Sequence, residues 1–545
     1  MSRFRFADLL MLKKDIMLIL QNISYTHSNK ELLFSNINLT VTAGNKVALV
    51  GNNGSGKSTL LKIIAKELFL TSGILETDSV PYYIPQIFGQ YNHLTIAEAL
   101  QIDQKLSAFQ EILKGNVTET NLNLLDDDWT IEDRCTEALN YWQLANFELN
   151  QKLEFLSGGE KTKVFLAGIM IHQPKLILLD EPSNHLDFHG RELLYEFIDA
   201  SKNTILIVSH DRKLLNLLYT TFELKPNGIR MYGGNYDFYL EQKNIDKNAL
   251  TQDIHAKEKA LQKAKEKQRE TLERQQKSDA KGKKKQEKAG VARIMMNTLR
   301  NNAENSTSKT KSVHAEKIGG ISKELRELRE EVPSIDRMKF GLDHSRLHKG
   351  KIIVTAESLN HNYNEKGIWR ENLNFQILSG QRIALKGNNG AGKTTLIKLI
   401  LEEIMPKSGS LKVIDCERIY IDQDYSLINN KLTVYEQAQQ SNTEGLEEHD
   451  IKMRLNRFLF TKSDWDKSCS YLSGGERMRL MLCSLTITNQ APDLIILDEP
   501  TNNLDIQNIE ILTAALNEYQ GTLIVVSHDA FFLEEISITN SFTLS

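Results

Sequence analysis

The sequence predicts an α/β protein built from two similar P-loop domains joined by an antiparallel helical hairpin. Three observations carry that prediction. Four short motifs occur twice in the same order. Each copy sets a glycine-rich loop after an apolar, strand-like run, and the stretch between the copies is strongly basic with helical periodicity. At 545 residues the chain exceeds what one hydrophobic core accommodates. Its 40% hydrophobic and 25% charged residues are ordinary for a globular protein.

At the N-terminus, Arg3 and Arg5 precede the apolar run Leu9 to Leu12, as in a secretory leader. Lys13, Lys14 and Asp15 interrupt it and no small-residue cleavage site follows, so residues 1–16 are expected to be a peripheral extension. Strand-like sequence begins at Met17, and a first domain is expected over 17–242 and a second over 350–545. In the first, Lys46–Val50 is an apolar strand leading into GNNGSGKS at Gly51–Ser58, and a helix-prone stretch follows. The second repeats this as GNNGAGKT at Gly387–Thr394, with Lys57 and Lys393 offset by 336 residues. Glycines let backbone N–H groups curl around phosphate oxygens, and the helix N-terminus adds a positive dipole end. The expected phosphate-binding residues are therefore Gly51, Asn52, Asn53, Gly54, Ser55, Gly56, Lys57, Ser58 and Thr59 in the first loop. Those of the second are Gly387, Asn388, Asn389, Gly390, Ala391, Gly392, Lys393, Thr394 and Thr395. The two lysines should reach the β- and γ-phosphates, and Ser58 and Thr394 should hold Mg²⁺.

Two further apolar runs, LILLD at Leu176–Asp180 and LIILD at Leu494–Asp498, read as buried strands ending in a carboxylate. Asp180 and Asp498 are then placed near a bound metal. Glu181 and Glu499 follow directly, where a general base can polarise an attacking water. Between loop and strand each half carries LSGGE, in which Ser157, Gly158 and Gly159, or Ser473, Gly474 and Gly475, open a helix and form a second anion cradle. SHD triplets at 209–211 and 527–529 close each set.

Together these motifs resemble ATP-binding cassette (ABC) ATPases over about 17–240 and 350–545. The resemblance implies a head-to-tail sandwich in which the loop of one half and the LSGGE of the other grip one ATP. One site would join Lys57, Ser58, Gln86, Asp180, Glu181 and His210 to Ser473, Gly474 and Gly475. The other would join Lys393, Thr394, Gln423, Asp498, Glu499 and His528 to Ser157, Gly158 and Gly159. Gln86 and Gln423 match the family's metal- and water-contacting glutamine, His210 and His528 its γ-phosphate sensor, and Tyr25 and Tyr363 its adenine-stacking aromatic. The implied cofactors are ATP and Mg²⁺, with both sites hydrolysing.

The connector, about 243–349, holds 27 Lys+Arg and 16 Asp+Glu in a chain whose overall net charge is −4. Its apolar residues fall at Leu250, Ile254, Leu261 and Leu272 on one limb, and at Ile318, Ile321, Leu325, Leu328 and Val332 on the other, a coiled-coil seam. Lys281, Lys283, Lys284, Lys285, Lys288, Arg293 and Arg300 cluster near the turn between the limbs, an electrostatic footprint suited to a phosphate backbone. The first half also carries about twenty extra residues, placed near 95–145 by the motif spacings.

No run of 18 uncharged apolar residues is present, so no membrane-spanning helix is expected. Four isolated cysteines argue for free thiols in a reducing cytosol and against structural zinc. Tandem cassettes, a basic hairpin and a short insertion resemble the ABC-F family, soluble cytoplasmic ATPases of the ribosome. That resemblance implies a hairpin meeting the P-site tRNA and ribosomal RNA in the tRNA exit region, and an insertion serving as an arm. It further implies pairing of the cassettes within one monomeric chain, and a member lacking the C-terminal coiled coil of some relatives. Two other readings are a cassette pair energising a separately encoded membrane transporter, and a DNA-associated regulatory ATPase.

Overall fold

A computed structural model describes residues 16–288, 293–331, 347–363, 367–388, 390–443, 445–488, 491–502 and 504–544. Within the two long helices it describes backbone alone at 275, 279, 282–288, 293–307, 310, 311, 330 and 331. Asn389, Val332 and the extension before Ile16 lie outside the described residues, as do the side chains of Lys283, Lys284, Lys285, Lys288, Arg293 and Arg300.

Each half has two sheets because its strands have two burial regimes. In the first half, β1 (Ile16–Thr26), β2 (Leu32–Thr42) and β4 (Ser72–Thr77) form an antiparallel sheet ordered β2-β1-β4, with buried and exposed residues interspersed along the strands. β3 (Lys46–Val50), β5 (Tyr82–Ile84), β6 (Leu176–Asp180), β7 (Thr204–Val208), β8 (Thr220–Lys225) and β9 (Gly228–Tyr232) make the second sheet, ordered β5-β6-β7-β3-β8-β9. All its pairs are parallel except β8–β9. Every residue of β6 and β7 is buried, which is why both read as unbroken apolar runs: helices and a second sheet leave neither face to water.

This packing fixes the loops. Helix α1 (Lys57–Ile64) buries Leu60, Leu61, Ile63 and Ile64 in the core between the sheets, so the glycine loop is stretched between the central strand β3 and the start of α1. Beyond β5 come α2 (Asp103–Leu113), α3 (Glu119–Leu125) and α4 (Ile131–Tyr141), in the stretch where the extra residues were expected. Arg134 ties them down: it meets Asp128 with two 2.8 Å bonds and donates Nε to Ile171 O at 3.0 Å, near the end of α5 (Gly158–His172). Helix α6 (Phe188–Ala200) then lies between β6 and β7 in the chain.

The second half repeats the plan. Its antiparallel sheet runs β11-β10-β13, from β10 (Ile352–Asn360), β11 (Leu373–Leu378) and β13 (Ser408–Val413). Its parallel sheet runs β14-β15-β16-β12-β17, from β12 (Arg382–Lys386), β14 (Arg418–Ile421), β15 (Leu494–Asp498), β16 (Thr522–Val526) and β17 (Asn540–Thr543). No antiparallel partner like β9 accompanies β17 among the described residues.

The two halves make one compact unit, and residues from Phe238 to Asp336 make another. In that second unit α7 (Tyr236–Lys288) and α8 (Arg293–Glu331) run antiparallel, joined by ion pairs between Lys257 and Glu324 and, at 2.6 Å, between Arg329 and Glu258. Leu325 is buried, and Leu250, Ile254, Leu261, Leu272, Ile318, Ile321 and Leu328 are half-buried, while most of the intervening charges whose side chains are described are exposed. The seam read from the sequence is therefore the inner face of the pair.

Candidate nucleotide sites

Both glycine loops have the conformation that their composition demands. Gly54 and Gly56 have φ of 78° and 94°, Gly390 and Gly392 of 82° and 83°, a region closed to most side chains. A Cβ at Gly56 would also lie 2.7 Å from the Phe34 ring, so this position is doubly committed to glycine. The lysines are held identically: Lys57 Nζ donates to Gly51 O at 2.7 Å and Asn52 O at 3.2 Å, and Lys393 Nζ to Gly387 O and Asn388 O at the same distances. Burial pulls both ammonium groups below the usual lysine range.

At the strand ends, Asp180 and Asp498 accept hydrogen bonds from Tyr83 at 3.3 Å and Tyr420 at 3.1 Å. Sequence reasoning missed these two tyrosines, although each stands three residues before the glutamine it did select. The next residue breaks the strand: Glu181 and Glu499 take left-handed φ of 52° and 47°, strained for a non-glycine residue. Their N–H groups donate to Val208 and Val526 at 2.8 Å, which turns the carboxylates into the site. There Glu181 Oε2 accepts the His210 N–H at 3.2 Å, and its Oε1 lies 3.2 Å from His210 Nε2. The Glu499–His528 pair repeats both contacts at 3.4 Å.

Burial dominates the electrostatics of these pairs. It pushes Glu181 up to about 8 and Glu499 up to about 7. Opposing charge pulls each back, from Lys57 for Glu181 and from Arg191 for Glu499. His210 is driven well below its usual value, by burial and then by the Lys57 charge, and His528 to about 4. Both imidazoles are neutral at pH 7, able to accept or donate a hydrogen bond but carrying no charge.

The first cavity, about 350 Å³, is lined by Asn53, Gly54, Gly56, Lys57, Ser58, Thr59, Gln86, Asp180, Glu181 and His210, together with His27, Leu33 and Val208. The second, about 490 Å³, gathers Asn388, Gly390, Ala391, Gly392, Lys393, Thr394, Thr395, Gln423, Asp498, Glu499 and His528. Ser157, Gly158 and Gly159 line it too, with His185, Leu186 and Arg191 beside them. The head-to-tail pairing expected from the resemblance is thus present around the second cavity. Around the first it is not: Ser473, Gly474 and Gly475 do not reach the wall. Asp505 crosses instead, accepting the Asn53 N–H through Oδ2 at 2.6 Å. Asn508, held by Asp505 Oδ1 at 2.7 Å, packs over Gly475, where an added Cβ would lie 2.1 Å from its amide nitrogen. In the first half the residue at the matching place is Gly190, which has no side chain to cover the motif. Gly51, Asn52, Ser55 and Gly387 stand behind the cavity walls, with the carbonyls of Gly51, Asn52 and Gly387 accepting from the lysines.

The aromatic assignment also changes. Tyr25 packs into the core against Phe34, with ring centroids 6.1 Å apart, while His27 lines the first cavity. The lysine offset of 336 matches His27, not Tyr25, to Tyr363. In both halves these rings meet edge-on, Tyr25 with His27 at 5.5 Å and His361 with Tyr363 at 5.1 Å, so the order of the two residue types is reversed between halves. Tyr363 is 67% exposed and its hydroxyl lies 3.4 Å from Thr395 Oγ1, at the edge of the second loop.

Both LSGGE serines cap a helix. Ser157 Oγ accepts the Glu160 N–H at 3.3 Å while Glu160 returns a carboxylate to Ser157 N at 2.7 Å, and Ser473 with Glu476 does the same.

A family model described as ABC transporter matches residues 34–184 and 370–502, one segment in each half. The chain is 31% identical to the probable ATP-binding protein YbiT of Escherichia coli O157:H7, over 96% of this chain and 95% of that one. It is 29% identical to ABC transporter F family member 5 of Arabidopsis thaliana, over 95% and 73%. The chain belongs to the ABC-F family.

This ABC-F protein is an ATPase. A solved structure of the archaeal ribosome recycling factor aABCE1, in complex with the ribosomal stalk protein aP1, shares the fold at a TM-score of 0.58. Its identity is 20%, covering 95% of this chain and 86% of that one. Among the described residues no helix of the ABC-F chain is long and apolar enough to cross a membrane. Nor does any group of three His, Cys, Asp or Glu side chains stand ready to hold a metal by itself. Its oxygen donors do fit one hard cation held jointly with phosphate. Asp180 Oδ1 is buried with no hydrogen-bond partner, and Asp180 shares the first cavity with Ser58 and Gln86.

Proposed function

We propose that this ATPase is a ribosome-associated factor in which two ATP molecules close the cassettes and the basic hairpin meets RNA in the tRNA exit region. The observation that carries the reading is the second cavity, where the glycine loop of one half faces the LSGGE of the other. A triphosphate bound there touches both halves, so its binding energy favours the closed arrangement and its loss removes the bridge. The name of aABCE1 ties a similar fold to ribosome recycling, and the hairpin of this chain supplies the matching charge. Lys257 to Arg300 holds 15 basic against 6 acidic residues, and Lys281 is exposed.

The chemistry is assigned as follows. Lys57 and Lys393, with the loop amides, bind the β- and γ-phosphates. Glu181 and Glu499 orient the attacking water and, in their ionised form, accept its proton. Neutral His210 and His528 contact the γ-phosphate and hold the glutamates in place. Ser58, Gln86 and Asp180, or Thr394, Gln423 and Asp498, would hold Mg²⁺, which supplies charge compensation for the phosphates when bound. His27 and Tyr363 are the rings placed for the base. The acceptor we assign to the hairpin is the P-site tRNA with nearby ribosomal RNA.

The test is sedimentation of the Glu181→Gln/Glu499→Gln protein with purified ribosomes. Co-sedimentation that requires ATP and weakens as salt rises is expected. If the protein binds ATP but stays in the supernatant at every salt concentration, the ribosomal assignment fails.

A further inference from the structure

We propose that Arg191 is a positioning residue which the first cassette supplies to the second ATP site alone, making the two sites non-equivalent. Arg191 lies in α6, four residues after Asp187, and is only 8% exposed. Its own cassette anchors it twice. Nε donates to Leu186 O at 3.3 Å, and Nη1 lies 3.7 Å from Asp211 Oδ2, which also accepts the Tyr195 hydroxyl at 2.6 Å. Asp211 directly follows His210, the partner of Glu181 in the first site.

From that anchorage the arginine lines the opposite site. It shares the wall of the second cavity with Glu499 and His528, and its charge acts on both. Like Glu181 Oε1, Glu499 Oε1 is buried and makes no hydrogen bond beyond its 3.4 Å approach to His528 Nε2, but only at the second site does the other cassette set a cation, Arg191, in the same wall. A guanidinium is suited to this task because its planar fork can serve two carboxylates in fixed directions without losing its proton.

Among the described residues no arginine lines the first cavity. The offset of 318 that matches Asp187 to Asp505 brings Ile509 to the place of Arg191, and Ile509 is buried and uncharged. Across its interface the first site instead receives the Asp505 carboxylate on Asn53. Thus one chain of contacts links the sites, from Glu181 through His210, Asp211 and Arg191 to Glu499, and Ile509 offers no second chain of the same kind. A change in the His210–Asp211 segment moves the anchor of Arg191 and so the setting of Glu499, and a change at Glu499 acts back through the same arginine. The inference rests on Glu181 and Glu499 being the two bases, and its test separates that assumption.

The full chain is assayed for ATP hydrolysis in two backgrounds, Glu181→Gln, where only the second site turns over, and Glu499→Gln, where only the first does. Arg191→Ile installs the residue its counterpart carries. It is expected to lower kcat about tenfold or more in the Glu181→Gln background with KM for ATP within about twofold, and clearly less in the Glu499→Gln background. Arg191→Lys, which keeps the charge but not the fork, should recover part of the loss. Equal losses in both backgrounds, a loss residing in KM, or a lysine variant no better than isoleucine would each overturn the proposal. If Arg191→Ile does not melt cooperatively, Arg191→Gln replaces it in the same comparison. Rapid turnover by the Glu181→Gln/Glu499→Gln protein would instead remove the assignment of the bases.

Discussion

His27 and Tyr25 stand two positions apart, yet one faces nucleotide space and the other the core. β1 ends at Thr26, so Tyr25 still belongs to the sheet and stacks toward Phe34, whereas His27 is already outside it. The two substitutions should therefore separate. In the Glu499→Gln background, where the first site alone turns over, His27→Ala is expected to raise KM for ATP about two- to tenfold, the loss of one ring contact. Tyr25→Ala should act chiefly on stability, costing about 3 kcal/mol in thermal or denaturant unfolding, as removal of a core aromatic does. A Tyr25→Ala protein with normal stability and a raised KM would return the base-stacking role to Tyr25. The sequence held the means to see this, since the lysine offset pairs His27 with Tyr363. A search for two like aromatics prefers tyrosine to tyrosine and so skips a histidine that the register selects.

At the scale of elements, the inserted helices matter because of what they are tied to. Arg134 is the tie, joining α4 to Asp128 and to the carbonyl of Ile171 near the end of α5, the helix that the LSGGE serine opens. Its guanidinium also holds the Asp128 carboxyl below the usual carboxylate range. Arg134→Ala leaves the Asp128 carboxylate with Lys105 alone and a part-buried carbonyl without its donor, a loss of about 1–3 kcal/mol. Hydrogen exchange should accordingly quicken in α2 to α4 and over the last turn of α5, while α1 keeps its protection. Unchanged exchange in α2 to α4 would show that apolar packing, as around the fully buried Trp142, holds this region without the arginine. Motif spacing located the extra residues; the attachment through Ile171 was invisible, because a backbone carbonyl carries no sequence signature.

At the scale of the whole molecule, stability and catalysis oppose each other through the buried glutamates. Burial raises Glu181 to about 8 and Glu499 to about 7, above the 4.5 of an unperturbed glutamate. A group raised on folding stabilises the fold below its unfolded pKa, and that contribution is lost as pH climbs through the folded value. His210 and His528 are lowered from 6.5, so they contribute above that value and withdraw stability as pH falls below it. The melting temperature of the nucleotide-free protein is therefore expected to be level from about pH 4.5 to 6.5, where the two effects oppose each other, and to decline from there to about pH 8. The Glu181→Gln/Glu499→Gln protein should melt higher at pH 9 and lose most of the alkaline decline. An alkaline decline equally steep in that variant would place its origin elsewhere in the chain.

Taken alone, the sequence determined everything that local chemistry controls in this protein. Strand runs such as β6 and β15 were legible because burial on both faces demands unbroken apolar residues. The loops were legible because only glycine tolerates their positive φ, and the hairpin because a seam repeats along two charged helices. The duplication then fixed the order of parts. The facing of Lys393 by Ser157 and its glycines was expected from the family resemblance, whereas tertiary structure alone decided two other meetings across the halves, Asp505 at Asn53 and Arg191 beside Glu499. These pairs lie hundreds of residues apart, and no periodicity or spacing encodes them. They depend on how two nearly equal folds settle against each other.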